Sequence, residues 1–470
     1  MLEKINKKQS GAALIYLIVF IAIFTIIMLP VVQNFAAKIN LLRLTITREK
    51  AFQIAEAGIN YYQWHLVKFT DDYQDGTGSS GPYLHDYVDF DTQETIGQFS
   101  LVITPPLLGS TIVKVQSTGW TNDNPGVKRV ITATYGIPSL AQYSLLANDG
   151  IAAYYATEVF SGRIHSNNGI RFDAIGNAPI ESAKNTYTCM SWQGGGCPTT
   201  KNGVWGSASQ DVQNLWQFPV PAVDFSSLTS DLADMKSAAN SGGIYLPPSG
   251  QKGYSLVFNG NGTVSVYVVK KTYSDANALD GYYVSRSEDT DYYQRINPSS
   301  PIQGNYNIPS NGMIYIEDNV WVEGTVNGRV TVAAAKLPQP ASPPIIFIPN
   351  NILYATKDGS DVLGLIAQGD IVLSKRAPNN LEIDAAMISQ TGLIQVFRTY
   401  DIKNALTIYG SIMNFGYWFD NFVWTTGYNT IVISGYSDTT YSYDTNLLYA
   451  PPPHFPFSSS GYQLLKWEGN

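Results

Sequence analysis

Carboxylates are the side chains of this sequence best suited to catalysis. Hydrolysis of a sugar polymer requires two carboxyl groups roughly 5–10 Å apart across one groove, one of them with a raised pKa. Asp370 and Asp384 are the strongest candidates, so an enzyme acting on polysaccharide is one function to consider. Several of the acids adjoin Gly or Asn, which is typical of solvated turns, and we therefore expect no enzymatic activity. The other acids of this region are Glu317, Asp318, Glu323, Asp361 and Glu382.

Other kinds of chemistry have weaker support in the sequence. The histidines make no ligand spacing, so we predict no metal and no cofactor. His165 is expected to be a satisfied polar residue at a turn rather than a catalytic base. Asn259-Gly260-Asn261-Gly262 lacks the spaced carboxylates of a calcium loop and predicts a turn. The four histidines are His65, His85, His165 and His454.

The two cysteines, Cys189 and Cys197, flank a Gly-rich stretch. An even pair that closes a short loop in an exported protein indicates a disulfide. Because the loop encloses few residues, we expect a local staple worth about 2–3 kcal/mol.

Aromatic residues crowd the segment from 417 to 443. Their faces can stack on sugars or anchor a protein partner, and they can equally cover an open sheet edge. Capping or core packing is the preferred interpretation, and contact with a surface glycan, host protein or partner protein is the alternative. The candidates for such contact are Tyr417, Trp418, Trp424 and Tyr428.

Charge is unevenly distributed along the chain. The net charge is −8, and residues 1–50 hold seven Lys or Arg against Glu3 and Glu49, a balance of +5 that leaves −13 for the remainder. The acidic remainder offers no basic stripe, so we predict no binding of nucleic acid.

The N-terminal segment predicts a membrane helix with an unusual cleavage position. From Ala12 to Val32 no residue carries a charge, and about twenty residues at ~1.5 Å each cross the ~30 Å hydrocarbon layer. Lysines ahead of this run favour a cytoplasmic N terminus and an exported C-terminal bulk. Gly11 and Ala12 precede the run, whereas an ordinary signal peptide is cut after it. A cut between them would leave the apolar helix at the new N terminus.

Two segments, Lys8–Ile15 and Lys50–Gly58, resemble the PilX-type minor pilins of type IV pili. Lys8-Gln9-Ser10-Gly11-Ala12-Ala13-Leu14-Ile15 is similar to the start of that family, and Lys50-Ala51-Phe52-Gln53-Ile54-Ala55-Glu56-Ala57-Gly58 is similar to its second hallmark. The resemblance covers roughly residues 1–135. It implies cleavage after Gly11 by the prepilin peptidase and contacts with other pilin subunits through the helix. Tyr16 stands where major pilins carry Glu, and an uncleaved signal anchor is the alternative.

The first part of the chain predicts a pilin-like body. Residues 12–67 are expected to form one helix, whose part beyond the membrane docks an apolar stripe on its own head. Residues 70–97 are Asp-, Gly- and Ser-rich and predict a loop. Runs rich in Val, Ile and Thr then predict an antiparallel meander. These runs are 98–104, 111–118 and 128–135.

An internal repeat lies further along the chain. Ile366, Ile388 and Ile412 recur after 22 residues (366 to 388) and 24 residues (388 to 412), each followed by an amide residue two places on. Looser copies begin at Ile164 and Ile348. Short strands, Asn/Gly corners and this period predict a parallel β-helix, expected to be right-handed. An antiparallel sandwich with coincidental spacing is the alternative.

The predicted fold class is α+β, with a long helix and small antiparallel sheet followed by a mainly β region. At 470 residues the chain is too long for one small domain. An amphipathic helix at 221–240 and a hairpin at 250–271 are expected to interrupt the coils. The predicted parts are a leader (1–11), pilin helix (12–67), β head (68–137), β-rich region (138–310), β-helix repeats (311–430) and C-terminal cap (431–470).

These expectations combine into one functional hypothesis. The chain is expected to be a single-pass protein of the cytoplasmic membrane that becomes extracellular on a pilus. Its partners would be the prepilin peptidase, other pilin subunits and, through the β region, a glycan or a protein. Priming, tip display and adhesion are the roles considered.

Overall fold

The protein is described here by a computed structural model covering residues 9–225, 227–273, 289–295, 304–375, 377–396, 401–416, 418–419, 421–426, 429–457 and 461–469. The chain forms two compact units. Unit 1 comprises Met1–Pro105, Val113–Tyr135 and Tyr462–Asn470, and unit 2 comprises Pro106–Ile112 and Gly136–Gly461. Unit 2 is therefore an insertion, in sequence, between parts of unit 1.

Unit 1 opens with one long helix followed by an antiparallel meander. The helix continues without interruption through Pro30, and consecutive strands pair antiparallel. The first strand falls inside residues 70–97, so the predicted loop is wrong there. Gly, Ser and Asp surround this short edge strand and obscure its pattern. The elements are α1 (Gln9–Lys68), β1 (Tyr83–Val88), β2 (Thr95–Thr104), β3 (Val113–Thr121) and β4 (Asn124–Gly136).

Unit 2 consists mainly of short strands. Its first part contains β5 (Leu145–Ala147), β6 (Ile151–Ala153), β7 (Val159–Ser161), β8 (Ile164–Ser166), β9 (Ile170–Phe172), β10 (Ile175–Gly176), β11 (Ile180–Ser182), β12 (Thr186–Thr188), β13 (Thr200–Asn202), β14 (Val204–Trp205), α2 (Gln210–Gln213) and β15 (Trp216–Gln217). Its middle contains α3 (Ser227–Gly242), β16 (Ile244–Leu246), β17 (Gly253–Asn259), β18 (Thr263–Tyr273), β19 (Asp289–Arg295) and β20 (Asn305–Asn307).

The rest of unit 2, from residue 313 onward, also consists mainly of strands. They are β21 (Met313–Ile316), β22 (Val320–Val326), β23 (Arg329–Ala334), β24 (Ile346–Ile348), β25 (Ile352–Tyr354), β26 (Val362–Ala367), β27 (Ile371–Leu373), β28 (Asn380–Ser389), β29 (Ile394–Val396), β30 (Ile402–Asn414), β31 (Trp418–Phe419), β32 (Asn421–Thr426) and β33 (Asn429–Tyr443). Short 3₁₀ helices cover Leu140–Gln142, Ser191–Gln193 and Thr445–Leu448.

Many strands of unit 2 pair in parallel with strands that are not their neighbours in the chain, and we call this arrangement the parallel stack. A column of directly paired residues crosses it, and each member contacts the same interior apolar cluster. Parallel pairing is what the predicted β-helix requires, and the antiparallel sandwich is wrong for these strands. The column reads Ile244, Ile314, Val332, Leu365, Met387, Ile412, Leu145, Ile164, Ile180 and Trp216.

The chain enters this stack in its middle. It starts at β5, proceeds to β15 at one end, and reappears at β16 at the other end. It then returns strand by strand until β30 pairs with β5. The connection carries α3, within the region predicted to contain a helix. Leu232 and Met235 of α3 are buried in an outer cluster with Tyr315, so the connecting segment covers the outer face of the strands.

The predicted repeat is offset by one residue in its last copy. Ile366 pairs with Ile388, but Ile388 pairs with Met413 rather than Ile412. Neighbouring residues of a strand point to opposite faces, and here both faces are buried. Ile412 belongs to the interior cluster and Met413 to the outer one, so hydrophobicity alone could not separate them.

The predicted hairpin and the C-terminal cap have different outcomes. The hairpin is present, because β17 and β18 pair antiparallel around the turn at 259–262. However, β17 also pairs in parallel with β22 and so belongs to the stack. The cap predicted for 431–470 is wrong for residues 431–443, because β33 pairs within the stack. The last strand, β34 (Gln463–Gly469), extends the sheet of unit 1 beside β4.

Candidate functional site

The second half of α1 lies on the sheet of unit 1. Ala51, Ala55 and Tyr62 are fully buried, and Ile54 and Ile59 are nearly so. Their three- and four-residue spacing places them along one face of the helix. The predicted docking of this half is confirmed for the described residues.

Small residues allow the helix backbone to approach β3 closely. A Cβ added at Gly119 would collide with backbone atoms of Ala51 and Ala55, and one added at Gly58 would lie 2.7 Å from the Phe99 ring. Such contacts are tighter than side chains tolerate. This gives a physical reason for the small residues in the Ala51–Gly58 segment.

Two histidine–aspartate pairs fasten the end of the docked half. His65 Nε2 lies 3.0 Å from Asp72 Oδ2, and His85 Nε2 lies 2.6 Å from Asp75 Oδ2. The backbone N–H of Gln74 and then that of Gly76 donate to Asp72 and lower its pKa. These pairs join α1, the following loop and β1. The two contacts stabilise the junction of these three segments, and each histidine is hydrogen-bonded to an aspartate.

The first half of α1 presents its apolar side chains to the outside of the chain. Large apolar residues from Leu14 to Ile46 are exposed, including Tyr16 at 75%. Among the described residues, this is the helix long and apolar enough to cross a membrane. Gly11 and Ala12 lie within α1 just after its start at Gln9, and cleavage between them stays a prediction.

The strongest catalytic candidates are engaged in structural hydrogen bonds. Asp384 accepts from the backbone N–H of Tyr354 at 2.9 Å, and Lys357 Nζ lies 2.8 Å from its other oxygen. Lys357 also reaches Glu382 at 2.9 Å and thereby bridges the two acids. Burial raises the pKa of Asp384. Asp370 accepts from the N–H of Leu393 at 3.0 Å.

The other acids of the stack follow the same pattern. Asp361 accepts from the N–H of Gly328 at 2.6 Å. Glu317 is 2.6 Å from Lys236 Nζ, and Asp318 accepts from the N–H of Ser249 at 2.8 Å. Glu317, Asp318 and Asp361 lie at bends, as expected. However, Asp361, Asp370 and Asp384 are buried, so the expected solvation is wrong for them. Glu382 and Asp384 lie within β28 rather than at a turn, and the Lys357 ammonium contacts both carboxylates.

Arg329 is a structural residue that the sequence did not single out. Its guanidinium donates to the carbonyl oxygens of Leu108, Gly359, Ala450 and Pro451 at 2.6–2.8 Å, and burial lowers its pKa. The four carbonyls come from distant parts of the sequence. No local signal could therefore have marked this arginine.

The Cys189–Cys197 disulfide is present. The glycines it encloses lie against a cationic and aromatic surface, because a Cβ on Gly194 would meet Arg171 and one on Gly195 would meet Trp205. The Arg171 guanidinium carbon lies 5.5 Å from the Trp205 ring centre. The disulfide loop thus packs against the Arg171 and Trp205 side chains.

The aromatic candidates are only partly described. Trp418 is half-buried against the interior cluster, and its indole N–H donates to Tyr441 at 2.9 Å. This placement favours the core interpretation for Trp418. Trp424 lies in β32 opposite Ile431, with its side chain outside the described part. Tyr417 and Tyr428 lie outside the described residues.

His165 lies within β8 (Ile164–Ser166) rather than at the predicted turn. Its Nε2 lies 3.0 Å from the Asn167 side-chain oxygen, and the residue is 1% exposed. Within the described residues, no group of His, Cys, Asp and Glu is arranged to hold a metal ion.

Comparison with known proteins adds little to these observations. No protein-family model matches the sequence, and no curated protein matches it. Among solved structures, the chain is similar to the competence-associated pilin ComZ from Thermus thermophilus, at 14% identity and a TM-score of 0.31. The match covers 90% of this chain and 97% of that one. A TM-score this low carries no argument, so the function must be inferred from the chain itself.

Proposed function

We propose that the chain is a minor pilin-like subunit of a type IV pilus or a related assembly. One observation carries the proposal: a single helix docks its second half on its own sheet and leaves its first half apolar and exposed. Such a half requires lipid or other apolar helices around it. A subunit that moves from a membrane into a helical bundle meets both environments in turn: its apolar half lies in lipid first and among other helices afterwards.

The processing step follows from the position of the charges. The prepilin peptidase would cut between Gly11 and Ala12 and remove Lys4, Lys7 and Lys8. The helix would then begin with an uncharged run and could leave the bilayer for the bundle without carrying the lysines through it. The Lys8–Ile15 and Ala51–Gly58 segments support this assignment.

Unit 2 is proposed to face the exterior as the displayed part. We interpret its parallel stack as a β-helix. Side-by-side packing of so large a unit along a shaft would cause clashes, so a priming complex or the filament tip suits it better. Adhesion to a glycan or a protein partner is the proposed role of this unit.

Antibody labelling of purified filaments tests the proposal. Antibodies against unit 2 should mark filaments at one end, and the label should disappear from cells lacking the prepilin peptidase. Label that stays in the membrane fraction of peptidase-positive cells would remove the pilus assignment.

A membrane-anchored enzyme acting on polysaccharide is the second candidate. The pKa of Asp384, raised by burial as a general acid requires, is the observation in its favour. In that case Asp370→Asn and Asp384→Asn should abolish release of sugar fragments from cell-surface glycans. A purely binding unit would release none, with or without the substitutions.

A further inference from the structure

The exposed half of α1 carries a regular heptad seam. Six apolar residues follow one another at steps of 4, 3, 4, 3 and 4, and each is between 42% and 63% exposed. This spacing is the signature of a helix that packs along a single partner helix. The seam comprises Met28, Val32, Phe35, Ile39, Leu42 and Ile46.

The residue types of the seam indicate a parallel pair. The a positions Val32, Ile39 and Ile46 are all β-branched, and the d positions are unbranched at Cβ. β-branched residues at a with Leu-like residues at d favour two-stranded parallel coiled coils. Subunits anchored in one membrane have the same orientation, which satisfies the parallel requirement.

Lipid and the chain's own sheet leave most of the seam uncovered. The uncharged run Ala12–Val32 already matches the hydrocarbon layer. From Val32 to Ile46 the helix rises a further ~21 Å at ~1.5 Å per residue. Burial on unit 1 begins only at Ala51. Another helix is therefore the occupant that fits this part of the seam.

Charges beside the seam select the partner. Lys38 is at a g position and Arg43 at the following e position. In a parallel pair, g of one helix faces the next e of the other, so two copies of this chain would set Lys38 against Arg43 twice. Like charges at these positions disfavour pairing.

We propose that the seam pairs with a helix of a different subunit, one that has apolar a and d positions and Asp or Glu at e and g. The proposal rests on the proposed function, because the partner is another subunit of the assembly. It adds selectivity: the first half of α1 rejects a second copy of itself and accepts an acidic neighbour.

Cysteine cross-linking of the full chain tests the selectivity. The Leu42→Cys variant in detergent micelles is mixed with synthetic heptad peptides that carry Ile at a, Leu at d and one Cys at the matching d position. One peptide has Glu at e and g, and the other has Lys there. The acidic peptide should cross-link at least roughly fivefold more.

Two further variants sharpen this test. Leu41→Cys is the matched control, because Leu41 is 63% exposed and Leu42 is 62% exposed, but Leu41 lies off the seam; it should cross-link weakly with either peptide. Lys38→Glu creates Glu–Arg pairs between two copies, so Leu42→Cys with Lys38→Glu should increase self-cross-linking in bilayers roughly threefold or more.

Equal yields with the two peptides, or equal yields at positions 41 and 42, would overturn the proposal. This result is distinguishable from failure of the proposed function, since the peptide assay requires no filament. A chain that prefers the acidic peptide but is absent from filaments would refute the pilus assignment alone.

Discussion

The two halves of α1 belong to one uninterrupted helix but have opposite surroundings. The second half buries Ala51, Ala55 and Tyr62 on its own sheet, whereas Phe35 and Ile39 of the first half face outward. Both halves are amphipathic or apolar, so hydrophobicity alone does not explain the difference. The docked half places Ala51 and Ala55 against Gly119 of β3, so its backbone approaches the sheet closely. The free half has bulky residues at heptad spacing instead. The close approach at matched small residues thus distinguishes the half that packs on its own chain.

A larger side chain at Gly119, which faces the docked half of α1, should reduce the stability of unit 1 more than any other change considered. Gly119→Val would push Cβ and its methyl groups into the backbone of Ala51 and Ala55, and we expect a loss of about 4 kcal/mol or more of unit 1 stability. Hydrogen exchange of the β3 amides in the full chain would measure it. Gly126→Val is the control, because nothing lies within 4 Å of its added Cβ. Similar protection in both variants would show that the close approach is unimportant.

Truncating one isoleucine in each half tests the comparison directly. Ile54→Ala removes a side chain that is 1% exposed and should cost about 2–4 kcal/mol, whereas Ile39 is 49% exposed and Ile39→Ala should cost less than about 0.5 kcal/mol. The same exchange measurement on the unassembled chain in micelles compares them. Equal losses would contradict the distinction between the halves.

The effect of pH on the stability of the loop after the docked half should be smaller than the effects of the preceding substitutions. Hydrogen bonds from Gln74 and Gly76 lower the pKa of Asp72 below its ordinary value of 3.8. A lowered folded-state pKa gives stability that is complete above about 3.8 and lost as pH falls through the folded value. Asp72→Asn should therefore cost less than about 1 kcal/mol at pH 7, because solvent screens this partly exposed carboxylate, and progressively less below pH 3.8. Denaturation of the unsubstituted chain and of the variant between pH 2 and pH 7 should show that their difference in free energy of unfolding narrows as the pH falls. A difference that stays constant with pH would indicate that the charge of Asp72 does not contribute to stability.

Features encoded by local pattern were predictable from the sequence. The continuous helix, the antiparallel meander, the hairpin at 259–262 and the Cys189–Cys197 disulfide all rest on short-range spacing, and the structure contains them. The parallel pairing of the repeats was also predictable, because their period is close to the separation along the chain of paired strands such as β26 and β28.

Features set by distant parts of the chain were not predictable. The return of β34 to the sheet of unit 1 and the entry of the chain into the middle of the stack depend on which strand edges remain open. The four carbonyls around Arg329 come from separate segments, and the one-residue offset at Ile412 depends on two buried faces. None of these leaves a local signature.

The N-terminal peptide of the protein recovered from sheared surface filaments tests the central claim most directly. Mass spectrometry should find a mature chain that begins at Ala12. The leader lysines would then be absent, and the apolar half of α1 would form the new N terminus. A filament-borne or membrane-borne chain that still begins at Met1 in cells with an active prepilin peptidase would contradict the central claim.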